Sequence, residues 1–345
     1  MKTNHYSIHD IVTFKVVDEY DLWSGLLSDI NKKYGAFKSS EVPNPDLILN
    51  LGNFSQSDLN CLTLDDRYNV RYNYLYCKGV SYKRAKWRFE ISGFEDGLIN
   101  AKVSNNFFGS MFVSGNFIDP ILHFVLNKKG YSVIHASCVS KDGNAILFAA
   151  RSGGGKTTIA LNLIEHGYDF MGDNFSILKD GYALSYLSPL NIFTYNLSPI
   201  VRRKLNFNAR FNLGLKSLLF KMTSGYAKIF SKIDVTEVTD QIVDRAKIKK
   251  IILILPKNNN FQVECLDKKT IINHLLINHK FETHFFEKHF LEYNFAFSDS
   301  KFATHWQQYV KNLENNLPDD ISYVKIEVPE KYDKKTFDKI LDLID

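Results

Sequence analysis

A single stretch of the chain, residues 145–167, limits what the protein can fold into more than any other. It consists of an apolar run that ends near Ala149, three consecutive glycines, a Lys-Thr pair and an amphipathic run that stops at Gly167. An unbroken apolar run predicts a buried strand, and apolar residues three to four apart predict a helix. A glycine-rich turn between a strand and a helix is the setting that a phosphate-binding loop requires.

The predicted loop carries the residue types that bind phosphate. Glycine lacks a Cβ, so the backbone can curl and present its N–H groups to phosphate oxygens, and the helix N-terminus adds the positive end of its dipole. We expect Lys156 to bridge the terminal phosphates of a nucleotide and the Thr157 hydroxyl to ligate Mg²⁺. The residues predicted to bind the nucleotide are Ser152, Gly153, Gly154, Gly155, Lys156, Thr157 and Thr158. The alternative is a chance glycine-rich turn before a helix.

The loop departs from the usual pattern G-x-x-x-x-G-K-[ST] at its first position, where Ala150 replaces glycine. Alanine has the smallest side chain after glycine, and it fits at this position if its φ is negative. The prediction of a phosphate-binding loop therefore stands, and the φ of Ala150 tests it.

Two further side chains are candidates for the chemistry around the phosphates. Asp173 follows the strand predicted after the loop helix, where its carboxylate can share Mg²⁺ with Thr157. His135 lies in a strand expected to turn at residues 141–143 and to pair with the strand before the loop, which would bring it near the phosphates as a proton acceptor. The alternatives are an Asp that caps a turn and a His that is structural.

The charge balance argues against a nucleic-acid-binding protein. The 345 residues carry 43 basic and 38 acidic side chains, a net charge of +5, which is a slight excess for this size. The strand predicted at residues 82–89 has a basic face that could contact nucleic acid, but we favour a half-buried strand with a solvated face.

The cysteines and the apolar runs indicate the compartment. The four cysteines are too far apart to form zinc-binding pairs or a disulfide scaffold. The first residues lack the apolar run of a signal peptide, and the run at 251–255 is too short to span a bilayer. We therefore expect a reduced, cytoplasmic protein without a membrane partner.

The rest of the chain predicts two domains. We expect a small α+β domain at residues 1–115 that binds a substrate or partner, and a nucleotide-binding catalytic domain at residues 116–345. A helix is predicted to begin at Asp119 as its N-cap, with Pro120 in its first turn. Strands are predicted at 47–51, 249–256 and 323–328, a closing helix at 334–344, and a mixed helical, basic segment at 206–232.

Three motifs together resemble the catalytic domain of the HPr kinase/phosphorylase family of serine kinases, which is related to phosphoenolpyruvate carboxykinase. The motifs are His135-Ala-Ser, the loop at residues 152–157, and the segment LNLIEHGYDFMGDN. The resemblance covers about residues 117 to 200 well and the rest of the C-terminal region loosely. It implies an α/β (α+β) fold in which an HPr-kinase-like P-loop domain with a mixed, mostly antiparallel sheet follows the small N-terminal domain.

The resemblance also implies roles for particular residues. The catalytic residues would be His135, Lys156 and Asp173, the cofactors ATP and Mg²⁺, and the metal ligands Thr157 and Asp173. The family motif ends in two adjacent carboxylates, and here the second is replaced by Asn174, which cannot ionise. Because general-base help is typically worth about 10²–10⁴ in rate, a slow enzyme or a relative that only binds nucleotide stays open.

The sequence thus predicts an ATP-dependent kinase that transfers the γ-phosphate to a hydroxyl, by preference Ser, of a protein or peptide. A nucleotide-binding regulatory pseudo-kinase and a kinase of a small-molecule hydroxyl are the alternatives. The acceptor is not identified by any motif, and a homo-oligomeric assembly is left open.

Overall fold

The computed structural model describes residues 2–19, 25–192, 211, 214, 231–256, 261–329 and 333–344. These residues form a mixed α/β fold with two large mixed sheets and seven helices. The segment 206–232, for which the sequence predicts mixed helix, lies almost entirely outside the described residues.

The seven helices range from 7 to 29 residues in length. They are α1 (Leu26–Lys33), α2 (Phe107–Val113), α3 (Asp119–Lys128), α4 (Lys156–Glu165), α5 (Lys268–Ala296), α6 (His305–Asn316) and α7 (Lys334–Ile344). No helix in the described part of the chain, α5 included, combines the length and the apolar character needed to cross a membrane.

The strands fall into two groups along the chain. The first nine are β1 (Lys2–Ile8), β2 (Val12–Asp18), β3 (Lys38–Ser39), β4 (Leu47–Leu51), β5 (Leu62–Leu64), β6 (Tyr68–Arg71), β7 (Tyr74–Tyr82), β8 (Ala85–Ser92) and β9 (Ile99–Asn105). The others are β10 (Ser132–Ile134), β11 (Ala136–Lys141), β12 (Asn144–Ala150), β13 (Asp169–Gly172), β14 (Ser176–Lys179), β15 (Tyr182–Leu184), β16 (Leu190–Ile192), β17 (Ser231–Ile233), β18 (Arg245–Pro256), β19 (Gln262–Cys265) and β20 (Ser322–Val328).

The chain divides into two compact units. The first comprises residues 1–130 and 280–311, and the second comprises 131–279 and 312–345. The sequence predicts a boundary near residue 115. This residue lies within a π-helical turn, Ser114–Ile118, that connects α2 directly to α3. Because these helical segments follow one another without a linker, the first unit continues to the end of α3. The roles that the sequence assigns to the two domains stay predictions.

The first unit is built on a nine-stranded mixed sheet with the strand order β3-β1-β2-β4-β9-β8-β7-β6-β5. Strand β4 runs parallel to β2 and β9, and the other neighbours are antiparallel. Alternation in β8 buries Ala85, Trp87 and Phe89 and leaves Lys86 exposed, as the sequence predicts for a strand with one solvated face.

The prediction that Asp119 is an N-cap is wrong. The helical backbone already extends through the preceding turn, and Asp119 is a buried residue of α3. Its carboxylate accepts hydrogen bonds from Tyr34 Oη, at 2.6 Å, and from Lys33 Nζ. A buried carboxylate requires such donors, so Asp119 joins α1 to α3 instead of ending a helix.

Aromatic side chains hold residues 280–311 within the first unit. The Phe302 ring stacks on Phe124 and on Phe290 with ring centroids 4.0 and 3.8 Å apart. Phe94 makes edge-to-face contacts with Phe302 and Tyr293, with ring centroids 4.9 and 5.0 Å apart. These residues are buried, and each large aromatic side chain contributes strongly to core stability. These aromatic side chains thus fill part of the core of the first unit.

The second unit has a mixed, mostly antiparallel sheet, as expected. Its strand order is β10-β14-β15-β18-β12-β11-β13; β20 also pairs with β18, through residues 250–256, and β19 pairs with β20. Strand β12 lies between β11, to which it is antiparallel, and β18, to which it is parallel. The expected turn between β11 and β12 is present, and the left-handed residues Asp142 and Gly143 form it.

Helices α4 and α7 cover one face of this sheet. Ile159 and Leu163 of α4 are fully buried in a cluster that includes Phe148 of β12 and Ile340 of α7. The helix ends before Gly167, which has a φ of +82°, a conformation that glycine adopts without strain. The strand, loop and helix predicted at residues 145–167 are therefore present.

Two buried histidines make the stability of the first unit sensitive to acid. Burial lowers the pKa of His289 to about 3 and that of His305 to about 4. Asn127 donates from Nδ2 to both the Nδ1 atom and the backbone oxygen of His305, so this Nδ1 is an acceptor and the ring is neutral. In the unfolded chain each ring would take up a proton near its ordinary value of about 6.5.

We predict that the free energy of unfolding falls as the pH drops from 7 to 5. The unfolded state binds protons first, so stability present above about pH 6.5 is lost on acidification, by about 2 kcal/mol per ring at pH 5. Denaturant titrations of His289→Gln should show a pH dependence reduced by about that amount. Tyr68→Phe is the control, because it removes the hydroxyl 2.7 Å from His289 Nδ1 but keeps the imidazole ring of His289. This variant should retain the pH dependence of the unfolding free energy. Equal slopes for His289→Gln and the unmodified chain would contradict the argument.

Candidate phosphate-binding site

The loop between β12 and α4 needs its glycines for two different reasons. Gly153 and Gly155 have φ values of +86° and +90°, which residues with a side chain rarely adopt. Gly154 is required by space, because a Cβ there would lie 2.8 Å from Ala150 Cβ and 3.0 Å from Arg151 O. The backbone therefore makes a tight turn, closed by a hydrogen bond from Gly154 N to Arg151 O.

Ala150 fits the first position of the loop in the way expected. It is the last residue of β12, and its φ is not positive. Its methyl group occupies the space next to Gly154, so the alanine is accommodated because Gly154 has no side chain.

Lys156 begins α4 and lies beneath the loop. Its side chain is 7% exposed, and Nζ donates to Ala150 O at 2.7 Å and more weakly to Arg151 O at 3.4 Å. The first N–H groups of a helix have no acceptor within the helix, so the α4 terminus presents donors beside this ammonium group. A cation and backbone donors at a helix N-terminus are what a phosphate group requires.

Asp173 is brought to the loop by strand pairing. Gly172 of β13 pairs with Cys138 of β11, so Asp173 lies opposite Ser137. Thr157 Oγ1 donates to Asp173 Oδ2 at 2.8 Å, and Ser137 Oγ lies 2.6 Å from Oδ1 and 3.0 Å from the backbone oxygen of Asp173. Both carboxylate oxygens are therefore oriented by hydroxyl groups in a site where Asp173 is 8% exposed.

The donor set around Thr157 and Asp173 fits Mg²⁺. Mg²⁺ prefers hard oxygen ligands at 2.0–2.1 Å in octahedral geometry, which places neighbouring ligands about 2.9 Å apart. Thr157 Oγ1 and Asp173 Oδ2 are 2.8 Å apart, so both can ligate one ion without moving far. One hydroxyl and one carboxylate leave the remaining positions for water and phosphate oxygens, the arrangement usual for nucleotide-bound Mg²⁺.

His135 lies at the same end of the sheet as the loop. The sequence predicts one continuous strand through His135. In the structure this residue separates two strands, β10 and β11. The final pair of β11 and β12 is Ala136 with Ala149, which places His135 and Ala150 side by side. The His135 ring is buried and packs on Phe175, with centroids 5.7 Å apart. Its role as a proton acceptor stays a prediction.

The remaining predicted residues lie around this arrangement. Ser152 is exposed in the loop, whereas Thr158 is half-buried in the first turn of α4, where its backbone oxygen accepts from Asn162 Nδ2. Asn174 is half-buried and follows Asp173 directly, in the bend between β13 and β14.

Sequence reasoning missed two residues of the site, Ser137 and Asn278. Ser137 is fully buried in β11 between Ala136 and Cys138, and a serine between small apolar residues does not by itself indicate a site. Asn278 of α5 donates from Nδ2 to His135 O at 3.1 Å and to Ala150 O at 3.3 Å. Its position more than a hundred residues from the loop gave no local signal.

Comparisons with known proteins add little to this geometry. No protein-family model matches the chain, and no curated protein matches its sequence. One similar solved structure is the HPr(Ser) kinase/phosphatase from Coxiella burnetii, at 11% identity and a TM-score of 0.28, over 62% of this chain and 93% of that chain.

We predict that Gly154→Ala weakens nucleotide binding, because fitting an extra methyl group into this tight turn costs about 1–3 kcal/mol and distorts the loop. The φ of Gly154 lies outside the left-handed region, so only the clash with Ala150 Cβ and Arg151 O disturbs the loop. Titration with a fluorescent ATP analogue measures the loss.

The double variant Ala150→Gly/Gly154→Ala is the matched control. It removes the closer of the two clashing atoms and should recover part of the affinity. If the double variant binds no better than Gly154→Ala, the contact between positions 150 and 154 does not govern the loop.

Proposed function

We propose that the protein is an ATP- and Mg²⁺-dependent phosphotransferase that transfers the γ-phosphate to a hydroxyl group, by preference of a serine in a protein or peptide. The observation that carries this proposal is the pair formed by Thr157 and Asp173, 2.8 Å apart, at the start of the helix whose first residue is the buried Lys156. A simple anion site needs only the loop and the lysine. A carboxylate held against the loop threonine adds negative charge, which is useful where a divalent cation accompanies the phosphate.

Each residue has a defined task in this proposal. Lys156 and the loop N–H groups bind and orient the terminal phosphates and stabilise the charge that develops during transfer. Thr157 and Asp173 hold Mg²⁺, which supplies charge neutralisation when bound. Transfer breaks the bond from the γ-phosphorus to the bridging oxygen of ADP and forms one to the acceptor oxygen, whose proton passes to His135 or Asp173. A cytoplasmic location, where ATP and free thiols coexist, belongs to the same proposal.

We expect Lys156→Ala to abolish most ATP binding and all phosphate transfer, because it removes the only side-chain cation in this proposal that contacts the phosphates. The measurement is ATP affinity together with transfer from γ-labelled ATP to candidate proteins, peptides and free serine. Lys269→Ala, which changes an exposed lysine of the same unit, should leave both unchanged. Asp173→Asn should bind ATP as tightly as the unmodified chain when Mg²⁺ is absent. Adding Mg²⁺ should raise the ATP affinity of the unmodified chain but not that of this variant.

ATP binding without transfer to any acceptor would reject the kinase and support the regulatory alternative. No ATP binding by the unmodified chain would reject both.

A nucleotide-binding regulatory protein is the second candidate, and Asn174 is the observation that favours it. This amide stands beside Asp173 where a second carboxylate would supply a base. We therefore expect Asn174→Asp to raise the transfer rate, by up to about 10²-fold, the lower end of the range for general-base help. Single-turnover transfer rates measure the gain. An unchanged or lower rate would mean that the position takes no part in proton removal.

A further inference from the structure

The backbone oxygen of Ala150 accepts hydrogen bonds from two side chains on different elements. Lys156 Nζ of α4 donates to it at 2.7 Å, and Asn278 Nδ2 of α5 donates to it at 3.3 Å. Ala150 is 1% exposed, so this carbonyl group has little access to water. A buried carbonyl without any donor is costly to the folded state.

Lys156 cannot serve both the carbonyl and a nucleotide fully. To bridge the terminal phosphates, Nζ must turn from Ala150 O towards the outer side of the loop. If Lys156 were the carbonyl's sole donor, nucleotide binding would leave a buried acceptor unsatisfied. The free-energy cost of that unsatisfied acceptor would weaken nucleotide binding.

We propose that Asn278 is a positioning residue for nucleotide binding, which keeps the Ala150 carbonyl hydrogen bonded when Lys156 moves to the phosphates. This inference rests on the proposed function of the same loop. Asn278 also donates to His135 O, so one amide group ties the end of β10 to the start of the loop and fixes both while the lysine moves.

The surroundings of Asn278 support this role. The side chain is 5% exposed and lies on a helix face whose neighbours Leu275 and His279 are buried. Both described hydrogen bonds of its amide use Nδ2 as the donor, and its buried Oδ1 accepts none from the described residues. Reversing the amide would place Oδ1 against two carbonyl oxygens, so the donor orientation is fixed by chemistry.

The first arm of the test needs no nucleotide. Since two donors share Ala150 O, either can be lost while the other remains, but losing both leaves the carbonyl unpaired. The midpoint of chemical denaturation should therefore fall further in Lys156→Met/Asn278→Leu than the sum of the two single shifts. A residue that acts only by packing gives shifts that add. Additive shifts would overturn the shared role of the carbonyl.

The second arm measures ATP binding by the full chain. Asn278→Leu, close in shape but without donors, should raise the Kd for ATP about tenfold, within the range expected for one unsatisfied buried acceptor. Asn316→Leu is the matched control: Asn316 is a buried amide of the same unit that bonds Ser132 Oγ and Asp180 N. It should lower stability and leave the Kd for ATP unchanged.

The outcomes separate the two levels of the argument. If the unmodified chain binds ATP and Asn278→Leu binds it equally well, the positioning role is wrong and the proposed function stands. If Asn278→Leu and Asn316→Leu lose affinity equally, the effect is one of general stability and the role is wrong. If the unmodified chain does not bind ATP, the proposed function fails and the positioning role fails with it.

Discussion

The structure of the site depends on strand β12 being hydrogen bonded on both sides. Its neighbours are β11 and β18, and the strand interior from Ala145 to Ala149 is buried. A strand held in this way ends at a fixed point, so the loop begins at a fixed point as well. Pairing of β11 with β13 then fixes Asp173 relative to the same edge of the sheet. The backbone hydrogen bonds between strands thus set the relative positions of the loop, Asp173 and His135.

The charged groups of the site are held by neutral partners. Lys156 donates to backbone oxygens, and the Asp173 carboxylate accepts from the hydroxyls of Ser137 and Thr157. Hydrogen bonds of this kind orient a charge without cancelling it, whereas a direct ion pair between Lys156 and Asp173 would neutralise both. An ammonium group and a carboxylate kept in place in this manner are ready for a phosphate and a divalent cation.

Local patterns in the sequence predicted what local physics determines. The unbroken apolar run of β12, the amphipathic spacing of α4 and the stop at Gly167 each depend on residues within a few positions, and each prediction is confirmed. Asp119 shows where such reasoning fails, because an acidic residue before proline is typical of an N-cap, yet its carboxylate is used by Tyr34 and Lys33, some 85 residues away. Asn278 likewise depends on α5 reaching the loop from a distant part of the sequence, which no nearby pattern encodes.

Helix α5 has a consequence for how the chain can be divided. Residues up to His279 belong to the second compact unit, whereas Phe290 and Phe302 stack in the aromatic core of the first. A fragment that stops at Gly130 would expose the rings of Phe94 and Phe124, and one that starts at Tyr131 would leave Phe302 without these two partners. The two units therefore alternate along the chain, and no single cut in the sequence separates one from the other.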